Sequence, residues 1–234
     1  MSQPINYETS WLIAEASART HVIDALRSIQ KDYAVIDRRV VELGCGIGTN
    51  LAVFAAANPV IGVEGLQAAV EECRRRGIEA ILADIERDIP LGSASADWVL
   101  CVDVLEHLVN PAECLASAHR ILREGGHLIV NVPNHFDLGG RLRILCGSGI
   151  DSRGYFPASP HWNYPHVRFF SRRSIGELLD QCGFDVVQDY RQRFLSFPKL
   201  RWWEWLGMRA PLRAMQSRWP DLLSSGFFLV CRKR

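Results

Sequence analysis

The segment Val-Val-Glu-Leu-Gly-Cys-Gly-Ile-Gly-Thr-Asn, residues 40–50, constrains this chain more than any other stretch. Val40, Val41 and Leu43 form a short apolar run, largely β-branched, that stops at Gly44. That is the pattern of a buried strand entering a glycine turn. Gly44, Gly46 and Gly48 alternate through the turn, permitting a tight bend and letting a ligand reach bare backbone where a helix is expected to begin. A nucleotide-type site follows from that arrangement.

The rest of the chain repeats the strand-and-helix theme. Residues 51–57 are rich in helix formers, and an apolar run at 60–63 is closed by Glu64 and Gly65. Residues 66–76 read as a helix, 80–83 and 98–102 as strands, and 111–122 as a helix with Asn110 as cap and Pro111 in its first turn. Gly125 and Gly126 precede a fifth strand at 127–132. Upstream, Val22, Ile23, Leu26 and Ile29 recur at helical spacing within residues 14–30. This alternation predicts an α/β fold, a Rossmann-like, doubly wound and mostly parallel sheet with helices on both faces. Past Pro133 the regularity lapses until Ser171 caps a helix to Cys182, and apolar strands follow near 185–194 and 227–230. Residues 134–170 are too many for a mere connection, so they are expected to form an inserted lid or substrate platform.

With 234 residues, 48% hydrophobic and 23% charged, a single domain over 1–234 is expected. No apolar run reaches the length of about 20 residues that crosses a bilayer. The polar start MSQPINYETS lacks the blocks of a secretion signal, so a cytoplasmic location is expected. Seven cysteines, scattered and never spaced C-x-x-C, argue against a disulfide framework or zinc knuckle. Residues 191–218 hold seven basic residues against Glu204 alone, although the whole chain carries only +1. Such a patch suits an anionic ligand or surface and is too small to imply nucleic acid.

Acids at strand ends narrow the ligand. Glu42 ends the first strand, where a carboxylate would repel a pyrophosphate and suits an ammonium or sulfonium charge. Thr49 stands where a dinucleotide fingerprint needs its third glycine, which disfavours a nicotinamide dehydrogenase. Glu64 ends the second strand, close to the distance at which an acid takes ribose hydroxyls; Asp84 ends the third and Asp103 the fourth. Four acids on one rim with no phosphate cradle fit S-adenosylmethionine, which carries both cationic charges and no phosphate.

The blocks VELGCGIGTN, GVEG, ADIE, DWVLCVDVLEHLVNP and LREGGHLIVNVPN, in this order, resemble the motifs of class I S-adenosylmethionine-dependent methyltransferases, and HVRFFSRRSIGELLDQCGF and GFFLVCRKR resemble the end of that fold. The VPNH turn, RLRILCGSG and PHVRFF resemble the MetW-like branch, and less closely the ubiquinone-biosynthesis O-methyltransferases. The resemblance implies a seven-stranded sheet with its last strand antiparallel, and Gly44, Gly46 and Gly48 along the methionyl part. It also implies Glu64 on the ribose and Asp84 with Ile85 at the adenine, with Cys45, Gly65, Asp103 and Val104 completing the cofactor set.

Methyl transfer from a sulfonium needs alignment more than acid catalysis, and a base helps when the acceptor is a hydroxyl. His107, in the turn after the fourth strand, is the first candidate base, and His135, after the fifth, the second. His161, Trp162, Tyr164 and His166 crowd the inserted segment and are candidate contacts to the acceptor. Asp103, Glu106 and His107 form D-x-x-E-H, similar to an E-x-x-E-H block that holds magnesium in some methyltransferases; His166 could join them. The first position departs from that block, and no metal is assigned. Trp202, Trp203, Trp205 and Leu206, interleaved with Arg and Lys in the basic Trp-rich stretch 191–220, suit lipid headgroups or a lipid-linked substrate. A helix packed on the sheet edge with its charges in water is the plainer alternative. The expected function is methyl transfer to a small molecule at oxygen or nitrogen. Its rival is a non-catalytic cofactor-binding regulator of the MetW type.

Overall fold

The computed structural model describes residues 20–87, 89–147, 166–197 and 199–234. Seven strands form one sheet: β1 (Val40–Leu43), β2 (Val60–Glu64), β3 (Glu79–Leu82), β4 (Ala96–Val102), β5 (Leu122–Pro133), β6 (Phe184–Asp189) and β7 (Gly226–Lys233). Their order is β3-β2-β1-β4-β5-β7-β6. Neighbours pair in parallel from β3 through to β5, and β7 runs antiparallel to both β5 and β6. The doubly wound sheet with an antiparallel last strand is as the sequence predicts. Chain order reverses between β1 and β4, which opens a crevice at their carboxyl ends.

Eight helices are described: α1 (Thr20–Asp32), α2 (Gln67–Arg75), α3 (Pro111–Ile121), α4 (Leu138–Leu145), α5 (Arg172–Gln181), α6 (Leu200–Trp205), α7 (Arg209–Arg218) and α8 (Pro220–Leu223). Period-two alternation sorts the strand residues between two cores. Val41, Leu43, Val99, Cys101, Leu128 and Val130 face Leu115 and Ala118 of α3 and Ile175 and Leu179 of α5. Val40, Leu100, Ile129, Phe228 and Val230 face Leu26 and Ile29 of α1 and Val70 and Cys73 of α2. Helix α5 starts where expected: Ser171 Oγ accepts from Ser174 N at 3.1 Å, and Ser171 N donates to Ser174 Oγ at 2.9 Å. Among the described residues no helix is long and apolar enough to cross a membrane.

Several local expectations are corrected. Residues 51–57 form only a 3-10 turn, Leu51–Val53, followed by further turns. Asn58 Nδ2 donates to Phe54 O at 2.9 Å and Val35 O at 3.1 Å, taking a carbonyl that helical bonding would use, and so short a stretch cannot repay nucleation. Asn110 stands at the start of α3 without a side-chain cap; its backbone N–H instead donates to Glu86 Oε1. Gly125 and Gly126 lie inside β5, and β6 ends at Asp189, with a 3-10 turn at Arg191–Phe194 replacing the rest of the expected strand. Helix α4 follows β5 and is capped by Asp137, whose Oδ1 accepts from Gly140 N at 2.7 Å.

Because β6 runs parallel to β5, the connection from β6 to β7 crosses the carboxyl rim. Helices α6, α7 and α8 therefore rise from the same rim as the glycine turn, and so does α4, which follows β5.

Candidate active site

The glycine turn is shaped by what stands behind it. Gly44 N donates to Val63 O at 2.8 Å and Gly48 N to Cys45 O at 2.9 Å, while Gly44, Gly46 and Gly48 take φ values of +75°, +53° and +78°. A Cβ on Gly44 would stand 2.5 Å from Val104 Cγ2 and 3.7 Å from Ile85 Cδ1. Three residues expected at the cofactor thus pack against one another. A Cβ on Gly46 would meet nothing within 4 Å. The tip of the turn offers open backbone to a ligand, the fit that a methionyl chain laid along it requires.

The acids take different positions. Glu42 is fully buried beneath the turn, and its Oε1 accepts from Asn50 Nδ2 at 2.7 Å. Glu64, half-buried, accepts from Gly46 N at 2.9 Å through Oε2 and from Leu66 N at 3.0 Å through Oε1. Its carboxylate orients the turn and retains lone pairs for hydroxyls. Gly65, exposed beside Ala83 O, keeps that strand end open. Asp84 remains accessible, with Glu86 N donating to Oδ1 at 2.9 Å and Arg87 Nε 3.2 Å from Oδ2. Asp103 adopts a left-handed φ of +52°, accepts from Asn131 Nδ2, and donates its own N–H to Asn131 O at 3.0 Å. Cys45 departs from a ligand-facing role. Its thiol is buried, with the Cβ position of Gly62 only 2.3 Å from its sulfur, and a hydrogen bond with Cys73 together with burial raises its pKa. Only the Cys45 backbone belongs to the turn.

Histidines gather at the ends of β4 and β5. His135 Nε2 lies 2.8 Å from His166 Nδ1, and the His166 ring stands edge-on to His107 with centroids 4.8 Å apart. Burial lowers the His135 pKa, opposed by Asp137, which favours the uncharged imidazole. The returning chain is sewn to the β4 turn: Val167 N and Arg168 N donate to Glu106 O at 2.8 and 3.0 Å. His161, Trp162 and Tyr164 lie outside the described residues.

Glu106, His107 and His166 each bring one ligand atom to within 4.8 Å of the others, a donor set suited to a divalent cation. Asp103, grouped with them on sequence spacing, falls outside this set because Asn131 of β5 engages it. The residues missed were amides: Asn50 beneath the turn, Asn131 beside Asp103, and buried Asn134, which donates to Asp221 O at 2.9 Å and Ser224 O at 2.7 Å. Asn is depleted in strands, and its place within apolar β5 was the signal available for Asn131.

A family model described as "Methyltransferase domain" matches residues 16–189. A "Probable S-adenosylmethionine-dependent methyltransferase" of Mycolicibacterium smegmatis is 33% identical over 154 residues, 64% of this chain and 52% of that protein. A ubiquinone biosynthesis O-methyltransferase of Methylococcus capsulatus is 27% identical over 134 residues, 53% of this chain and 56% of that one. The aligned part thus spans about half the length of each of these two relatives. The crystal structure of a SAM-dependent methyltransferase from Aquifex aeolicus superposes with a TM-score of 0.64 at 13% identity, covering 97% of this chain and 100% of that one, a likeness of fold. With an open glycine turn underlain by a carboxylate and a family match over most of its length, the chain belongs to the methyltransferase-domain family, in its class I, S-adenosylmethionine-dependent form.

Proposed function

We propose that this chain transfers a methyl group from S-adenosylmethionine to an oxygen or nitrogen of a small-molecule acceptor held by residues 134–170. The observation that carries the reading is a juxtaposition on one rim: open backbone at Gly46 beyond β1, and the His107–His166–His135 cluster beyond β4 and β5. When bound, the cofactor supplies a methyl already activated on a sulfonium. The chain supplies the alignment. Gly44 and Gly46 seat the methionyl part, Glu64 takes ribose hydroxyls, Asp84 and Ile85 border the adenine, and Asp103 with Val104 closes the pocket wall. Holding donor and acceptor in line in a site screened from water is worth about 7–11 kcal/mol. His107, or His135 through His166, accepts the proton that a hydroxyl or amine loses as its new bond to carbon forms. The ubiquinone relative acts at oxygen by its name, which favours a hydroxyl acceptor.

The test is to supply acceptor pools from the source organism with methyl-labelled donor and follow both label incorporation and S-adenosylhomocysteine. Labelled product is expected, and His107→Ala should reduce turnover by about 10²–10⁴-fold while leaving donor affinity within a factor of about two. Tight donor binding without product from any pool, with the biological effect intact in His107→Ala, would instead establish the regulatory, MetW-type reading.

A further inference from the structure

The helices on the carboxyl rim carry apolar side chains that the fold does not use. Helix α7 is anchored by buried Leu212 and Gln216, and Gln216 Nε2 donates to Arg191 O at 2.7 Å and Ser224 Oγ at 3.0 Å. Beyond that anchor Trp202 is 52% exposed, Trp205 80% and Leu206 46%. Helix α4 shows the same habit, with Leu142 and Ile144 exposed and Leu145 82% exposed. The two pieces are tied together: Ser196 Oγ, on the approach to α6, donates at 2.5 Å to Asp137 Oδ2, the residue that caps α4.

Charge on these elements is predominantly positive. Helix α4 carries Arg141 and Arg143 with no acid, and residues 199–218 carry five basic residues against Glu204 alone, itself paired with Arg209 at 3.2 Å. A cavity of about 720 Å³ opens beside Leu200, Trp202 and Trp203, with Lys199 and Arg201 also lining it. Exposed indole and aliphatic groups interleaved with long basic side chains form the pattern of a surface resting at a membrane interface, with rings at headgroup depth and guanidinium groups reaching phosphate. A second copy of the chain fits poorly, because a two-fold contact would press like charges together. Nucleic acid would leave the aliphatic groups of α4 unused.

We propose that α4, α6 and the start of α7 form a docking surface for an anionic lipid bilayer. It goes beyond the methyl-transfer reading and stands without it; if both hold, the donor site and the bilayer lie on the same side of the sheet, and amphiphilic acceptors gain direct access.

The experiment is vesicle flotation of the full chain with phosphatidylcholine vesicles and with phosphatidylcholine–phosphatidylglycerol vesicles, at low and high salt. Wild type should float with the anionic vesicles, not the neutral ones, and be released by salt. Trp202→Ser/Trp205→Ser and, separately, Arg143→Glu/Arg201→Glu should each lower the bound fraction about tenfold. Both variants should keep the wild-type melting temperature and calorimetric donor affinity. The arginine pair alters only exposed groups, so it remains informative should the tryptophan pair disturb folding. The proposal is overturned by no flotation at low salt, by equal flotation on neutral vesicles, or by binding that the arginine pair leaves unchanged. A dimer in sedimentation that Trp202→Ser/Trp205→Ser dissociates would also overturn it, assigning the face to self-association.

Discussion

The glycine turn after β1 and the helical cap between β6 and β7 stand on the same rim and are held in opposite ways. The turn is fixed from beneath by a buried carboxylate, by Asn50 and by backbone bonds to β2, so little of its conformation depends on exposed side chains. The cap is short helices moored at a few points, chiefly Asn134, Gln216 and Ser224, with large side chains left in solvent. One region spends its residues on shape and the other on surface. A site for a constant donor profits from the first construction, and contact with a varied acceptor or a lipid phase profits from the second.

Breaking the turn should give the largest effect. Gly44→Ala places a Cβ against Val104 in a left-handed backbone, so donor affinity should fall at least ~100-fold by calorimetry, with about 1–3 kcal/mol lost in urea denaturation. Adding Val104→Ala removes the Cγ2 contact but leaves its Cβ at 3.1 Å and the φ strain, so only part should return. Full recovery would mean the contact, and not the backbone, makes the turn glycine-dependent.

A matched pair sharpens the contrast. Asn50→Ala and Asn134→Ala each withdraw an amide from buried acceptors and should each cost about 1–3 kcal/mol in denaturation. Only Asn50→Ala should also weaken donor binding, because its partner Glu42 underlies the turn. Equal loss in both variants would show the cap and the turn to be one cooperative unit.

The smallest effect lies away from both. His127 stacks on Trp98 with centroids 4.6 Å apart, and burial first, then Arg232, lowers its pKa. A folded value below the unfolded one, about 6.5, means the unfolded chain binds more protons between the two. Stability should therefore hold above about pH 6.5 and fall as pH drops through that window toward the folded value. His127→Phe keeps the stack and should flatten the decline, read as melting temperature between about pH 7 and pH 5. An unchanged slope would move the acid sensitivity to His119 and His135, which burial also lowers.

Which parts were legible follows from range of interaction. Val40 to Gly48 announces itself because strand, bend and helix start are local matters, and Ser171 names its helix through a bond three residues away. Residues 51–57 mislead because Asn58, outside the window, takes the carbonyl of Phe54. Helix α4 hides behind two glycines in LGGRLRIL, one of which is needed because a Cβ at Gly140 would stand 2.3 Å from His135 O. At the site, spacing groups Asp103 with Glu106 and His107, whereas a partner 28 residues on, Asn131, draws it to the sheet. Periodicity cannot show a cross-strand partner.

The place of β7 bears on how the polypeptide matures. Residues 226–233 slot between β5 and β6, so a nascent chain that has already exposed both of those strands holds two bare edges until translation nears this point. During that interval the half-built sheet is a template for aggregation, and closure depends on contacts formed across a hundred residues of sequence. Synthesis stalled or cut short before Gly226 should yield a chaperone client, not a smaller soluble protein.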